Sequence, residues 1–285
     1  MKRFILLAAV VLAAVSCNNK NTGMKALVLY YSQGGNTRAV AEEIAGRLGA
    51  DIEAIVPMIP YDGDFMATIE RGKKELDGGT LPEIQPVKAD LAAYDVVFLG
   101  FPVWFGVCAT PVLTVLSGLD FSGVKVVPFC TFGSGGLQSS VRLIEEKLPG
   151  SEILPGYGVR AARMEAVPAE IDRFLKEGGF IEGKVEALEP FPALSPVSEE
   201  DAAVFDAAVA GYPMLNARAE EVASRSVPGG IEYMFTAKDQ PREIRPGPRS
   251  GKASGSSAPL PPAGLLTVYV LVEDGKAPVF TQVVR

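Results

Sequence analysis

The run from Lys25 to Ala45, KALVLYYSQGGNTRAVAEEIA, most constrains the fold of this chain. An apolar strand over Ala26–Tyr31 runs into the small and polar residues Ser32, Gln33, Gly34, Gly35, Asn36 and Thr37, and a run of good helix formers follows at once over Thr37–Leu48. A strand that meets a helix through such a loop aims backbone N–H groups past the positive end of the helix dipole, where a phosphate can sit. Glycines let the backbone curl around an anion. Ser32 and Thr37 bring hydroxyl donors. The loop has no lysine, so it is not the phosphate loop of nucleoside triphosphatases. It also lacks the three-glycine spacing of dinucleotide-binding turns.

The same alternation continues. Strand patterns at Ile52–Val56, Asp95–Phe101, Val124–Phe129 and Ile153–Val159 are separated by helical ones at Asp64–Leu76, Pro111–Leu119 and Leu137–Leu148, and a last helix follows at Ala169–Glu177. Near-continuous apolar strands between helices indicate a parallel sheet covered on both faces. Five such strands fit a doubly wound α/β sheet, whose ligands bind beyond the carboxyl ends of the strands. Two further loops leave those ends. One is Phe101-Pro102-Val103-Trp104-Phe105-Gly106; the other is Thr131-Phe132-Gly133-Ser134-Gly135-Gly136. Trp104 is the only tryptophan and can stack on a planar ring. Taken singly, Trp104 and Phe105 read first as core plugs. Three loops in order, each after a buried strand, make a joint signal.

Composition narrows the chemistry. The chain contains no histidine, which excludes Ser-His triads, histidine bases and histidine metal sites. The net charge of −7 argues against a general nucleic-acid binder. No residue stands out as an acid–base catalyst, so redox chemistry must come from a bound cofactor. Cys130 ends an apolar strand and reads as a small hydrophobe, while Cys108 sits between a loop and a helix. A disulfide between them is open, and no cysteine spacing suggests a metal.

The stretches YYSQGGNTRAVAEEIA, YDVVFLGFPVWFG and VVPFCTFGSGG resemble the signature segments of a flavodoxin-like family, over residues 24 to 181. That resemblance implies FMN as cofactor. It implies phosphate contacts from Ser32, Gln33, Gly34, Gly35, Asn36 and Thr37. Ring contacts would come from Pro102, Val103, Trp104, Phe105 and Gly106, and from Thr131, Phe132, Gly133, Ser134 and Gly135. Gly34 stands where the family pattern places a threonine, which removes one hydroxyl. The implied function is electron transfer or reduction of a small acceptor such as a quinone, with donor and acceptor unnamed. The competing reading is a non-catalytic binding or adaptor protein on the same fold.

The ends differ from this core. Lys2, Arg3, the apolar stretch Phe4–Val15 and Ser16-Cys17 resemble the signal of bacterial lipoproteins, in which the cysteine becomes the lipidated first residue. The resemblance implies residues 1–17 as a signal, 18–23 as a tether, and a protein lipid-anchored at Cys17 in the bacterial cell envelope. An ordinary secretory signal remains the other reading. After the flavodoxin-like domain (24–189), residues 190–197 read as a proline-rich linker. A capped helix from Ser198 to Ala210 and alternating strands at Ile231–Ala237, Leu265–Val272 and Pro278–Val284 give a second, α+β domain over 198–285. A Gly/Ser/Pro-rich loop, Pro246–Gly264, joins the first two of these strands. One helix on antiparallel strands resembles cystatin-like folds and implies a packing module or a docking site for a protein partner. Ser254-Gly255-Ser256-Ser257 has a faint likeness to a covalent-flavin segment but lacks the preceding aspartate.

Overall fold

The computed structural model describes residues 23–62, 65–212, 214–240 and 264–285. The signal reading at 1–17, Cys17, nearly all of the tether and the loop with Ser254–Ser257 lie outside the described residues.

The amino-terminal half is the doubly wound sheet that the alternation predicts. Its elements are β1 (Ala26–Tyr30), α1 (Asn36–Leu48), β2 (Asp51–Ala54), α2 (Phe65–Gly78), β3 (Val96–Trp104), β4 (Val107–Cys108) and α3 (Thr110–Gly118). There follow β5 (Lys125–Phe132), α4 (Leu137–Lys147), β6 (Glu152–Ile153), β7 (Tyr157–Arg160) and α5 (Val167–Glu177). The parallel strands lie in the order β2-β1-β3-β5, with β6 and β7 both on the outer side of β5. That is a doubly wound order with its switch point between β1 and β3.

Strand side chains alternate between faces, and here both faces are buried. Leu27, Leu29, Val97, Leu99 and Phe101 pack into one layer with α3 and α4, while Val28, Val96, Phe98, Val127 and Phe129 pack into the other with α1 and α5. Helix α1 turns Val40, Ala41, Ile44 and Leu48 inward, the spacing of one helical face. Gly100 leaves room for a ring: a Cβ there would lie 2.1 Å from Phe129.

The fifth strand differs from the sequence reading. Pro155 has no N–H for the ladder, and a Cβ at Gly156 would come within 2.6 Å of the Pro128 carbonyl oxygen. The segment therefore splits into β6 and β7 around Leu154-Pro155-Gly156.

The carboxyl-terminal half forms a separate antiparallel sheet. Its elements are β8 (Ser195–Pro196), α6 (Glu199–Val209), β9 (Ala217–Val227), β10 (Gly230–Asp239), β11 (Leu265–Glu273) and β12 (Val279–Val284), ordered β12-β11-β10-β9-β8. Ser198 caps α6 by a reciprocal pair with Asp201, and Phe205 and Ala208 enter the core with Phe235, Val268 and Phe280. The long strand β9, polar along much of its length, was not read from sequence. Ser195 and Pro196, within the stretch read as a linker, pair with Val222 and Glu221 of β9.

Candidate functional site

All three loops lie at the carboxyl ends of the parallel strands. In the first, Ser32 Oγ accepts a hydrogen bond from the Gly35 N–H at 3.1 Å. Gly35 caps α1 in the left-handed region (φ 91°) without any side-chain cap, and Ala39 N–H is the first to reach back, to the Gly35 carbonyl. Helix geometry therefore leaves the N–H groups of Asn36, Thr37 and Arg38 without intrahelical acceptors. No acidic residue stands in this first turn, and a Cβ at either Gly34 or Gly35 would meet nothing within 4 Å. The cradle is open, positive at its base and free of carboxylates. Thr37 is buried, and its hydroxyl lies 2.8 Å from that of Thr131 at the end of β5. This pair ties the first loop to the third.

Gln33 takes a different place. Its amide donates to the Tyr61 carbonyl at 2.8 Å and accepts from the Tyr31 hydroxyl. Its side chain thus braces an aromatic cluster, leaving only its backbone for an anion. In that cluster the Trp104 ring stands edge-on to Tyr31 (5.7 Å) and Tyr61 (5.0 Å). On another side it lies against α2, where a Cβ at Gly72 would be 3.2 Å from the indole.

Beneath the rings, Glu75 accepts from Tyr61 (2.5 Å), Thr110 (2.6 Å) and Arg71 (2.8 Å). The Arg71 guanidinium lies 3.8 Å from the Tyr61 ring centroid. Burial, foremost, raises the hydroxyl pKa of Tyr31 and Tyr61, and the bond to Glu75 adds to the rise at Tyr61. Sequence reasoning missed Tyr61, Arg71, Glu75 and Thr110. The i, i+4 spacing of Arg71 and Glu75 was the available signal, but such pairs are common on solvated helices.

The second loop is largely strand. Strand β3 continues through Trp104 and folds back on β4 in the register Val103–Cys108 and Trp104–Val107. The two-residue turn is Phe105-Gly106, with φ 53° and 88°, the paired positive angles of a type I′ hairpin. Among the described residues, Phe105 is the only non-glycine with positive φ, and it is 46% exposed. So Pro102, Val103 and Trp104 sit on a rigid ladder, and Phe105 stands out at its tip.

The third loop is shorter than read. Thr131 and Phe132 belong to β5 and are buried; a Cβ at Gly158 would be 2.7 Å from the Phe132 ring, which therefore serves the core. The turn proper is Gly133 to Gly136. Gly136 (φ 116°) caps α4 so close to the second loop that a Cβ would meet the Val103 side chain at 2.5 Å.

The carboxyl-terminal domain docks on this third loop. The Val283 N–H donates to the Ser134 carbonyl at 2.6 Å. A Cβ at Gly135 would lie 2.1 Å from the Val283 carbonyl oxygen. From the end of β7, Arg160 donates Nε to the Gly133 carbonyl (2.9 Å) and Nη1 to the Phe280 carbonyl (3.0 Å). Its guanidinium stacks on the Phe280 ring at 3.5 Å, and burial lowers its pKa. One side chain thus clamps the third loop to β12. Nothing in the sequence marked this contact.

Cys108 and Cys130 are free thiols, both buried. Burial pushes the Cys108 thiol up to about 12 and raises Cys130 well above its ordinary value. Among the described residues no group of histidine, cysteine, aspartate or glutamate could hold a metal ion. No helix among them is long and apolar enough to cross a membrane.

No curated protein matches the chain. Solved structures do. A crystal structure from Bacteroides eggerthii, named as a flavoprotein, is 29% identical, covers 52% of this chain and 96% of its own, and superposes with a TM-score of 0.46. A flavoprotein of Lactobacillus acidophilus, crystallised in complex with FMN, is 28% identical, with 47% of this chain and 93% of its own covered and a TM-score of 0.44. The flavodoxin family model matches residues 25–169. That span starts at the base of β1, ends at the opening of α5 and takes in all three loops; the chain belongs to the flavodoxin family.

Proposed function

We propose that this protein binds FMN at the three loops and works as a flavin-dependent reductase or electron carrier. The observation that supports it most is the amino-terminal end of α1. Three N–H groups, the hydroxyls of Ser32 and Thr37 and the absence of any carboxylate in the first turn make a donor set suited to a phosphate dianion. Open space over Gly34 and Gly35 lets the backbone approach it. The residues present therefore fit the group.

Each part of the chain has a role in this reading. The Ser32 oxygen accepts from Gly35 and so keeps its own proton for the anion. If Thr131 donates to Thr37, the Thr37 proton is likewise left for the phosphate. The Phe105 hairpin and the Gly133–Gly135 turn flank the place for a flat ring. When bound, FMN supplies the electron chemistry that the side chains of this chain lack. The aromatic cluster under Trp104 holds the second loop rigid, and the buried, protonated thiols stay out of the reaction. Lipidation at Cys17 is part of the proposal; it would hold the protein at a bacterial membrane, and its support is the Lys2–Cys17 pattern.

Titration of purified protein with FMN tests the reading. Bound flavin should lose fluorescence beside Trp104, with a dissociation constant below tens of micromolar, or about −6 kcal/mol. An unchanged flavin spectrum and fluorescence at that concentration would leave the fold as a flavin-free binding module.

A further inference from the structure

We infer that the carboxyl-terminal domain acts on flavin binding: it holds the Gly133–Gly135 turn in the shape that receives the ring, with Gly135 and Arg160 as the positioning residues. The inference rests on the FMN reading above and adds to it a role for the second domain.

The turn has little means of holding its own shape. Gly133-Ser134-Gly135-Gly136 has three glycines in four residues, and glycine has the most backbone freedom to lose. Its last residue is tied to the first domain: the Gly136 carbonyl accepts from the Ser140 N–H at 3.0 Å and from the Ser139 hydroxyl at 3.2 Å. The rest of the turn is tied to β12. The Ser134 carbonyl takes the Val283 N–H, and the Gly133 carbonyl takes Nε of Arg160, whose Nη1 goes to the Phe280 carbonyl. A turn fixed in this way has less freedom to lose when a ligand settles on it.

Glycine at position 135 serves this contact. Gly135 does not have a positive φ, so the turn itself does not require glycine there. What requires it is β12, because a Cβ would lie 2.1 Å from the Val283 carbonyl oxygen. At Gly133 a Cβ would lie 3.2 Å from the Tyr212 hydroxyl of the same domain. In the first loop, by contrast, a Cβ at Gly34 or Gly35 meets nothing within 4 Å. The first loop is bare toward open space, whereas this turn is bare toward a strand. Coupling between two binding events is reciprocal, so FMN should tighten the domain contact as much as the contact tightens FMN.

The test is titration of the intact chain with FMN and with riboflavin, for the parent, Gly135→Ala and Arg160→Ala. The first variant wedges β12 off the turn. The second frees the Gly133 carbonyl, and it carries the test if the first does not fold. Each should weaken both flavins by the same factor, at least fivefold, because the loss acts on the ring that the two share. In the parent, FMN should raise the urea midpoints read by tryptophan emission and by far-ultraviolet signal together. In Gly135→Ala it should raise the tryptophan midpoint alone. Three results overturn the inference: parent affinity for both flavins in either folded variant, a loss that falls on FMN and spares riboflavin, or a second-domain midpoint in Gly135→Ala that still follows FMN. With a parent that binds FMN, those results remove this inference and keep the flavin reading. A parent that binds neither flavin removes the flavin reading, and this inference with it.

Discussion

Thr37 and Thr131 meet hydroxyl to hydroxyl at 2.8 Å, in a buried junction that joins the first loop to the third across 94 residues of chain. Both residues are buried. Replacement of Thr131 by valine keeps the shape and strands the Thr37 hydroxyl, so it should cost about 1–3 kcal/mol of stability, read from the urea midpoint. On the proposed reading, Thr37→Ala should weaken FMN more than riboflavin, because it removes a donor assigned to the phosphate. Equal weakening of both would place Thr37 away from the phosphate.

Arg160 carries the contact between the domains. Arg160→Ala removes two charge-assisted bonds and the face of Phe280, with a loss of about 2 kcal/mol. The two sheets should then unfold in separate steps, visible as non-coincident tryptophan and far-ultraviolet signals, since Trp104 reports on one domain alone. Lysine should rescue little, because a single ammonium lacks the planar fork that spans both carbonyls. A single transition like that of the parent would show that the clamp is not what couples them.

The thiols make stability fall in alkali. Folding raises the Cys108 pKa through burial, so the protonated thiol favours the fold. That advantage is complete below the unfolded value of about 8.5 and fades as pH rises toward about 12. Denaturant midpoints should decline over that window, and Cys108→Ala should lessen the decline without removing it, since Cys130, Tyr31 and Tyr61 are also raised by burial. In the native protein at pH 8, a thiol reagent should label neither Cys108 nor Cys130 until denaturant is added; rapid native labelling would contradict their burial.

The membrane proposal depends on one atom. Cys17→Ser should leave the precursor uncleaved or move the protein out of the membrane fraction, as fractionation and gel mobility would show. Unchanged behaviour would favour an ordinary secretory signal.

Much of the first domain was legible because its signals are local. Apolar runs such as Val96–Phe101 are buried on both faces, so each reads as a strand without knowledge of its neighbours. The Ser32–Thr37 loop was legible for the same reason: the glycines, the hydroxyls and the helix start are consecutive. The split of the fifth strand was visible in Pro155 yet overruled by the apolar run around it. Strand β9 was not legible, since ARAEEVASRSV has one half-solvated face and little apolar contrast.

By itself, then, the sequence determined most strands and helices of the first domain and which loops gather at one end of its sheet, because side-chain period and glycine placement act over a few residues. Tertiary structure alone decided what each loop residue faces. It gave Gln33 to Tyr61, turned Phe132 into the core and held Phe105 out of it. It also brought Val283 onto Ser134 and Arg160 onto Phe280. Those contacts join residues about 120–150 positions apart, in which no local pattern marks the partner; only the packing of one sheet against another brings them within reach of a hydrogen bond.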